Sequence, residues 1–445
     1  MDKLREALKI IAERTLSELA PERCLLRTVR IRNGKLFAGP YRYDLRRFGR
    51  LIVVGFGKAS ARMASGLEEL LGDRISAGFV VTAEGCTAPT KIIEVAEAGH
   101  PVPDERTLQA GQRILNLVKS ASEEDLVIVL ISGGGSALFE IPLPGLSLAD
   151  LAQTTGLLLR AGATIQEMNA VRKHLSAVKG GRLAKITKAT KILALVLSDV
   201  PGDDLATIAS GPTVPDPTTF AQAVRVLETK GIWNAVPKAV REHLLAGAAG
   251  KIPETPKPGD PCFRRVRHVL IGSGRTALTL AQNTGRNLGF RSLVLTSTLR
   301  GEAREVAKFF AALAEEERRF KKPVPPPALL LAAGETTVTV RGEGRGGRNQ
   351  ELALSFALEI QGLSGVALLA LATDGRDGPT DAAGAIVDGE TVDRIKAAGV
   401  DPVKALAQND SYTALSAAGD LLLTGPTGTN VADLVILAVE RRSGA

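Results

Sequence analysis

The chain of 445 residues is 44% apolar and 23% charged, an ordinary globular balance that excludes general disorder. Aromatic residues make up only 4%, too few for the stacking platforms of single-strand nucleic-acid binders. The net charge of +8 is concentrated between Arg23 and Arg50, where nine basic residues meet one acid, Asp44; the stretch reads as a solvated basic edge, and no nucleic-acid partner is expected.

Leu4, Leu8, Ile11 and Leu19 fall at helical spacing among charges, so residues 1–25 are expected to form an amphipathic helix that need not pack on the domain following it. The segment lacks the uninterrupted apolar core of a signal peptide, and no run approaches the ~18 residues of a membrane span. A cytoplasmic protein with no membrane partner is expected. Three cysteines and four histidines are scattered without metal-ligand spacing. A metal, if used, must be held by carboxylates, which points to Mg²⁺.

One pattern then recurs along the chain: a short apolar run ends in a glycine- or aspartate-rich turn. The runs begin at Leu51, Leu126, Ile192, His268, Leu293, Leu329 and Ala367. Apolar runs alternating with helix-like stretches predict parallel strands covered on both faces, hence an α/β fold with ligands at the carboxyl ends of strands. Four prolines within 247–262 read as a linker, giving a Rossmann-like α/β domain over 1–250 and a second α/β domain over 263–445, with an active site expected in the cleft between them. A second proline cluster, 322–328, reads as a connector inside the second domain.

The turns carry the chemistry. Gly55-Phe-Gly57-Lys58 begins like a dinucleotide fingerprint, but Ser60 stands where the third glycine or alanine belongs, and Ala59 rules out a Walker A loop. What remains is a lysine at a strand tip, suited to a phosphate as a point charge. Ser132-Gly133-Gly134-Gly135-Ser136 follows an apolar run and precedes a helix-compatible segment; it is either a phosphate cradle or a plain tight turn. Asp199 and Asp374 follow apolar strands and suit metal or proton work, whereas Asp203 and Asp204 suit helix caps. Arg348 lies near a helix start behind a glycine-rich loop, where an arginine can take a carboxylate or phosphate with two parallel bonds, or merely be solvated. The turn Thr424–Asn430 offers small donors.

At these residues the chain resembles the class II glycerate 2-kinases with a MOFRL C-terminal domain. The matching strings are GFGKASARM (55–63), GHPVPDE (99–105), ISGGGSALFEIP (131–142), NAVRKHLSAVKGGRLA (169–184), LSDVPGDDLATIASGPTVPD (197–216), GETTVTVRGEGRGGRNQELAL (334–354), ATDGRDGPTDAAGA (372–385), NDSY (409–412) and TGPTGTNVADL (424–434). The resemblance implies Mg²⁺-assisted, ATP-dependent phosphorylation of D-glycerate at its 2-hydroxyl, with release of ADP. It implies Lys58 and Arg348 as the main catalytic cations. The mechanism expected on that basis puts Arg348 on the glycerate carboxylate and Mg²⁺ on Asp199 and Asp374, with one carboxylate taking the hydroxyl proton. Ser132 to Ser136, with Gly55 and Gly57, would hold the nucleotide; Lys58, Arg348, Asn349, Asp374 and Asn430 would face the substrate. A homo-oligomer is compatible with all of this. Two rivals stand beside it: an NAD(P)H-dependent hydroxypyruvate reductase, and a non-catalytic nucleotide or sugar-acid binder.

Overall fold

The computed structural model describes residues 2–441, which fall into two units. One holds Pro21–Ser198 and Asp203–Ile271; the other holds the N-terminal residues through Ala20, Asp199–Gly202 and the chain from Gly272 onward.

The first unit begins with a three-stranded antiparallel sheet, β1 (Val29–Arg32), β2 (Lys35–Ala38) and β3 (Tyr41–Asp44). The basic stretch is therefore folded into strands, not a plain edge; alternation buries Val29, Leu36 and Tyr43 and leaves Arg30 and Arg42 exposed. Its main sheet comprises β4 (Leu51–Phe56), β5 (Ile75–Ala83), β6 (Ile93–Ala98), β7 (Leu126–Ile131), β8 (Lys191–Leu197) and β9 (Val266–Gly272), in the order β6-β5-β4-β7-β8-β9. The pairs β4/β5, β5/β6, β4/β7 and β7/β8 are parallel. Every residue of β4 and β7 is buried, as expected of strands covered on both faces. The chain runs outward from β4 to β6 and returns on the other side of β4 as β7, so the strand order reverses between β4 and β7.

The second unit is built on β10 (Arg291–Leu299), β11 (Ala328–Gly334), β12 (Val366–Ala372), β13 (Gly384–Asp388), β14 (Leu421–Leu422) and β15 (Asp433–Val439), in the order β10-β11-β15-β12-β13-β14. Only β10/β11 is parallel; β15 lies antiparallel between β11 and β12. The apolar runs thus arise from double coverage, not from parallel pairing. Along β11, Leu329 and Leu331 enter one core while Leu330 and Ala332 enter the other.

The N-terminal helix packs away from the domain that follows it, as its expected freedom allowed, whereas the second boundary falls after Ile271 and not in 247–262. The helix Asp2–Glu18 buries Leu4, Leu8 and Ile11 in the same core as Leu329, Leu369 and Ile436, and Arg5 reaches Asp388 at 3.1 Å and Asp420 at 2.7 Å. The proline-rich 247–262 segment is no free linker: Thr255 donates to Asp216 at 2.9 Å, Glu254 accepts the Phe220 amide, and β9 beyond it joins the first sheet. Among the described residues no helix is long and apolar enough to cross a membrane.

Candidate active site

Two groups of the expected residues gather, each at a strand-end edge of its own unit. In the first unit the group stands where the strand order reverses, the crevice that binds ligands in open α/β sheets. The turns after β4 and β7 are laced together: the Ser132 amide donates to Phe56 O at 3.2 Å, the Lys58 amide to Gly133 O at 2.8 Å, and the Ala59 amide to Ser132 Oγ at 3.0 Å. Gly57 has φ +120°, and a Cβ there would collide with Ser132 Oγ. Gly134 has φ +79°, and a Cβ would lie 3.0 Å from His100 Nε2 and 3.2 Å from Lys58 Cγ. His100, Lys58 and Gly134 are therefore neighbours. Burial, and then the Lys58 ammonium, holds the His100 pKa below the ordinary value, so the imidazole is neutral at pH 7.

The Lys58 side chain is exposed and forms no ion pair among the described residues. The amides of Gly133 and Gly134 likewise have no partner among them, whereas Gly135 donates to Ser132 O at 3.3 Å. The helix expected after this turn is only Gly135–Leu138, one turn, so it contributes little dipole; what the turn offers chemically is its open amides. Ser210 gives its one hydroxyl proton to Asn169 Oδ1 at 2.9 Å, so Ser136 must donate to Ser210 Oγ at 2.8 Å. Gly55 lies inside β4, where a Cβ would come within 2.8 Å of Leu130 Cβ: it serves strand packing, not a ligand. The Ser132 hydroxyl is bonded into the turn.

In the second unit the register aligns Gly334, Asp433 and Ala372, so the ends of β11 and β12 and the start of β15 share one edge. The helix Arg348–Glu359 begins there. Arg348 Nε donates to Asp433 Oδ2 at 2.5 Å and Nη2 to Asp433 Oδ1 at 3.0 Å, while Nη1 donates to Glu335 at 2.5 Å. The two-bond fork expected to grip a substrate carboxylate is thus closed on Asp433. Burial depresses the Arg348 pKa, but Asp433 and Glu335 more than offset this and hold it charged. Burial pushes the Asp433 pKa up to about 6 against the pull of Arg348.

Asn349 donates its amide and Nδ2 to Asp377 Oδ1, both at 3.2 Å, and is buried; it orders the helix start and does not face outward. Asp377 also accepts from Gln350, a carboxylate placed on helix N-terminal amides. Asp374 is half-buried, its Oδ1 accepting the Arg376 amide at 3.0 Å while its other oxygen has no partner among the described residues. Asn430 accepts the Ala432 amide at 3.1 Å in a turn pinned to Thr373. Asp199 is half-buried after β8. Asp204 caps the turn that follows, accepting the Ala206 amide. Among the described residues no group of three or more His, Cys, Asp or Glu gathers as a metal site.

Sequence reasoning missed Asp433, Glu335, His100 and Arg172, whose Nη2 donates to Ser136 O at 2.9 Å. All four sit in matching strings, but nothing local marks them. The NDSY string gains a meaning: Asn409 Oδ1 accepts the Arg341 and Gly342 amides and Asp410 the Arg345 amide, so the glycine-rich loop before Arg348 is tied down, not flexible.

Comparison with known proteins agrees with the motifs. A domain of unknown function (DUF4147) matches residues 7–245 and the MOFRL family matches residues 328–433. The glycerate 2-kinase of Pyrococcus horikoshii is 43% identical over 445 residues, covering 100% of this chain and 99% of that protein. An Agrobacterium vitis protein provisionally named hydroxypyruvate reductase is 45% identical over 388 residues, 87% of this chain and 86% of its own length. The crystal structure of glycerate kinase from Thermotoga maritima matches with a TM-score of 0.88 at 43% identity, covering 99% of this chain and 100% of that one. With likeness of this extent in both sequence and fold, the chain belongs to the family of MOFRL-type glycerate kinases.

Proposed function

We propose that the protein transfers the γ-phosphoryl group of ATP to the 2-hydroxyl of D-glycerate, giving 2-phospho-D-glycerate and ADP. The observation that carries this reading is the exposed Lys58 ammonium beside the open Gly133 and Gly134 amides, at the point where the strand order of the first sheet reverses. Phosphoryl transfer asks a protein mainly for placement and charge neutralisation. Lys58 would steady the equatorial oxygens of the migrating group, and the two amides would bind neighbouring phosphate oxygens. Asp433 and Glu335 hold Arg348 in place and leave it two of its five N–H groups for a glycerate carboxylate.

The hard oxygen donors of Asp199 and Asp374, with an open oxygen on Asp374, fit a divalent cation that takes its remaining ligands from phosphate and water. Those two residues would hold Mg²⁺, which when bound neutralises charge on the phosphate oxygens. One of the two carboxylates accepts the hydroxyl proton as the new P–O bond forms and the bond to ADP breaks. The reductase reading has less to stand on: the third fingerprint glycine is replaced by Ser60, whose buried hydroxyl donates to Val81 O at 2.8 Å.

Phosphorus NMR of a reaction with ATP, Mg²⁺ and D-glycerate is expected to show ADP and the 2-phosphate. A 3-phosphate product overturns the regiochemistry. Oxidation of NADH by hydroxypyruvate, with no phosphorylated product, replaces the kinase with the reductase.

A further inference from the structure

Beside the Lys58 turn the first unit encloses a cavity of about 350 Å³, within the roughly 300–1,000 Å³ typical of small-molecule sites. Its walls are Ala137, Leu151, Met168 and Leu175, from the turn after β7 and the helices Leu148–Arg160 and Ile165–Leu175. Two large apolar side chains line it while facing solvent, Val102 at 62% and Leu159 at 60% exposure. One end is polar: His100, Gly134, Ser136, Glu140 and Arg172. Arg172 donates only to Ser136 O, and no carboxylate lies within ion-pair distance of it among the described residues. The Glu140 carboxylate is neutralised by the buried Lys179 at 2.7 Å, and its other oxygen accepts the Ile141 amide.

The cavity thus asks for a ligand with a largely apolar body and an anionic end. A three-carbon hydroxy acid fits poorly. It would leave most of the 350 Å³ and the apolar walls from Ala137, Leu151, Met168 and Leu175 uncovered. A purine nucleotide fits: the base against the apolar walls, the phosphates toward Arg172, Gly134 and Lys58. We propose that this cavity is the nucleobase pocket of the phosphoryl donor, with Arg172 anchoring its phosphate chain. The proposal rests on the kinase reading above and supplies the position of the base.

The test is calorimetric titration of the full chain with a non-hydrolysable ATP analogue and with inorganic tripolyphosphate, alongside KM values for ATP and glycerate. Ala152 is a half-buried helix residue lining the cavity, and Ala152→Trp fills it. That variant is expected to weaken the analogue and raise the ATP KM by about tenfold or more, with tripolyphosphate affinity and glycerate KM within about twofold. Leu159→Ser, at an exposed site that cannot disturb the core, is expected to weaken the analogue about three- to fivefold. Arg172→Met should weaken the analogue and tripolyphosphate alike. The proposal is overturned if Leu159→Ser and a normally folded Ala152→Trp both leave analogue binding unchanged, or if Ala152→Trp raises the glycerate KM instead. The expected binding pattern in a chain that fails to phosphorylate glycerate keeps the pocket and removes the kinase reading. Phosphorylation that ignores the cavity variants removes the pocket alone, and a chain that binds no analogue removes both.

Discussion

The two strand-end groups hold comparable cations in opposite states. Lys58 stands exposed beside unpartnered amides, with a neutral His100 as its neighbour. Arg348 is closed on Asp433 and Glu335 and backed by a buried Asp377. The first group carries an unbalanced positive charge; the second has already balanced its charge internally. An arginine at a helix start beside glycines is therefore not by itself an open binding site, and a lysine in a glycine turn need not be mere surface.

The largest effect expected from this contrast is on stability. Arg348→Ala leaves the buried Asp433 without its counter-charge and should lower the unfolding free energy by about 3–5 kcal/mol in denaturant titration, with much of it recovered when Asp433→Asn is added. An Arg348→Ala chain as stable as the parent breaks the description of the second group. Lys58→Ala should do the reverse: stability within about 0.5 kcal/mol of the parent but turnover lower by about 10²–10³-fold, read by ADP release. Near-parental turnover would remove Lys58 from the reaction. The smallest effect separates the groups by pH. Asp433, at about 6, takes up its proton as pH falls through that value and loosens the Arg348 fork, so kcat/KM for glycerate should fall by up to about tenfold per unit below pH ~6. That limb should vanish in Asp433→Asn and persist in His100→Gln. For stability the sign is opposite: a carboxyl raised in the folded state favours folding at low pH, and this contribution is lost as pH rises through about 6.

The cores of the sheets were legible because buried strands must be apolar: β4, β7, β8, β11 and β12 all coincide with runs visible in the chain. β15 was not singled out, since nothing in DLVILAV announces that it turns antiparallel between two neighbours. That Lys58 and the turn at 132–136 stand at strand ends was legible, because each follows an apolar run that ends in glycines. The pairing of Arg348 with Asp433 was not, because 85 residues separate them and sequence carries no sign of which carboxylate a fork will meet. Gly55 misled for a related reason: a glycine admitting close strand packing looks the same in sequence as one admitting a phosphate. Likewise, prolines in a polar stretch suggest a hinge until the partners of Thr255 and Glu254 are known.

The first helix of the chain completes the core of the last sheet. In synthesis the helix Asp2–Glu18 is made more than 400 residues before β15 (Asp433–Val439), yet its seat on β11, β12 and β15 is finished only when β15 is added. At roughly 5–20 residues per second that interval is on the order of tens of seconds. Throughout it Leu4, Leu8 and Ile11 lack part of the native surface that covers them. The growing chain must keep this segment from wrong associations, and a chain without residues 2–18 would carry a bare face on its second sheet.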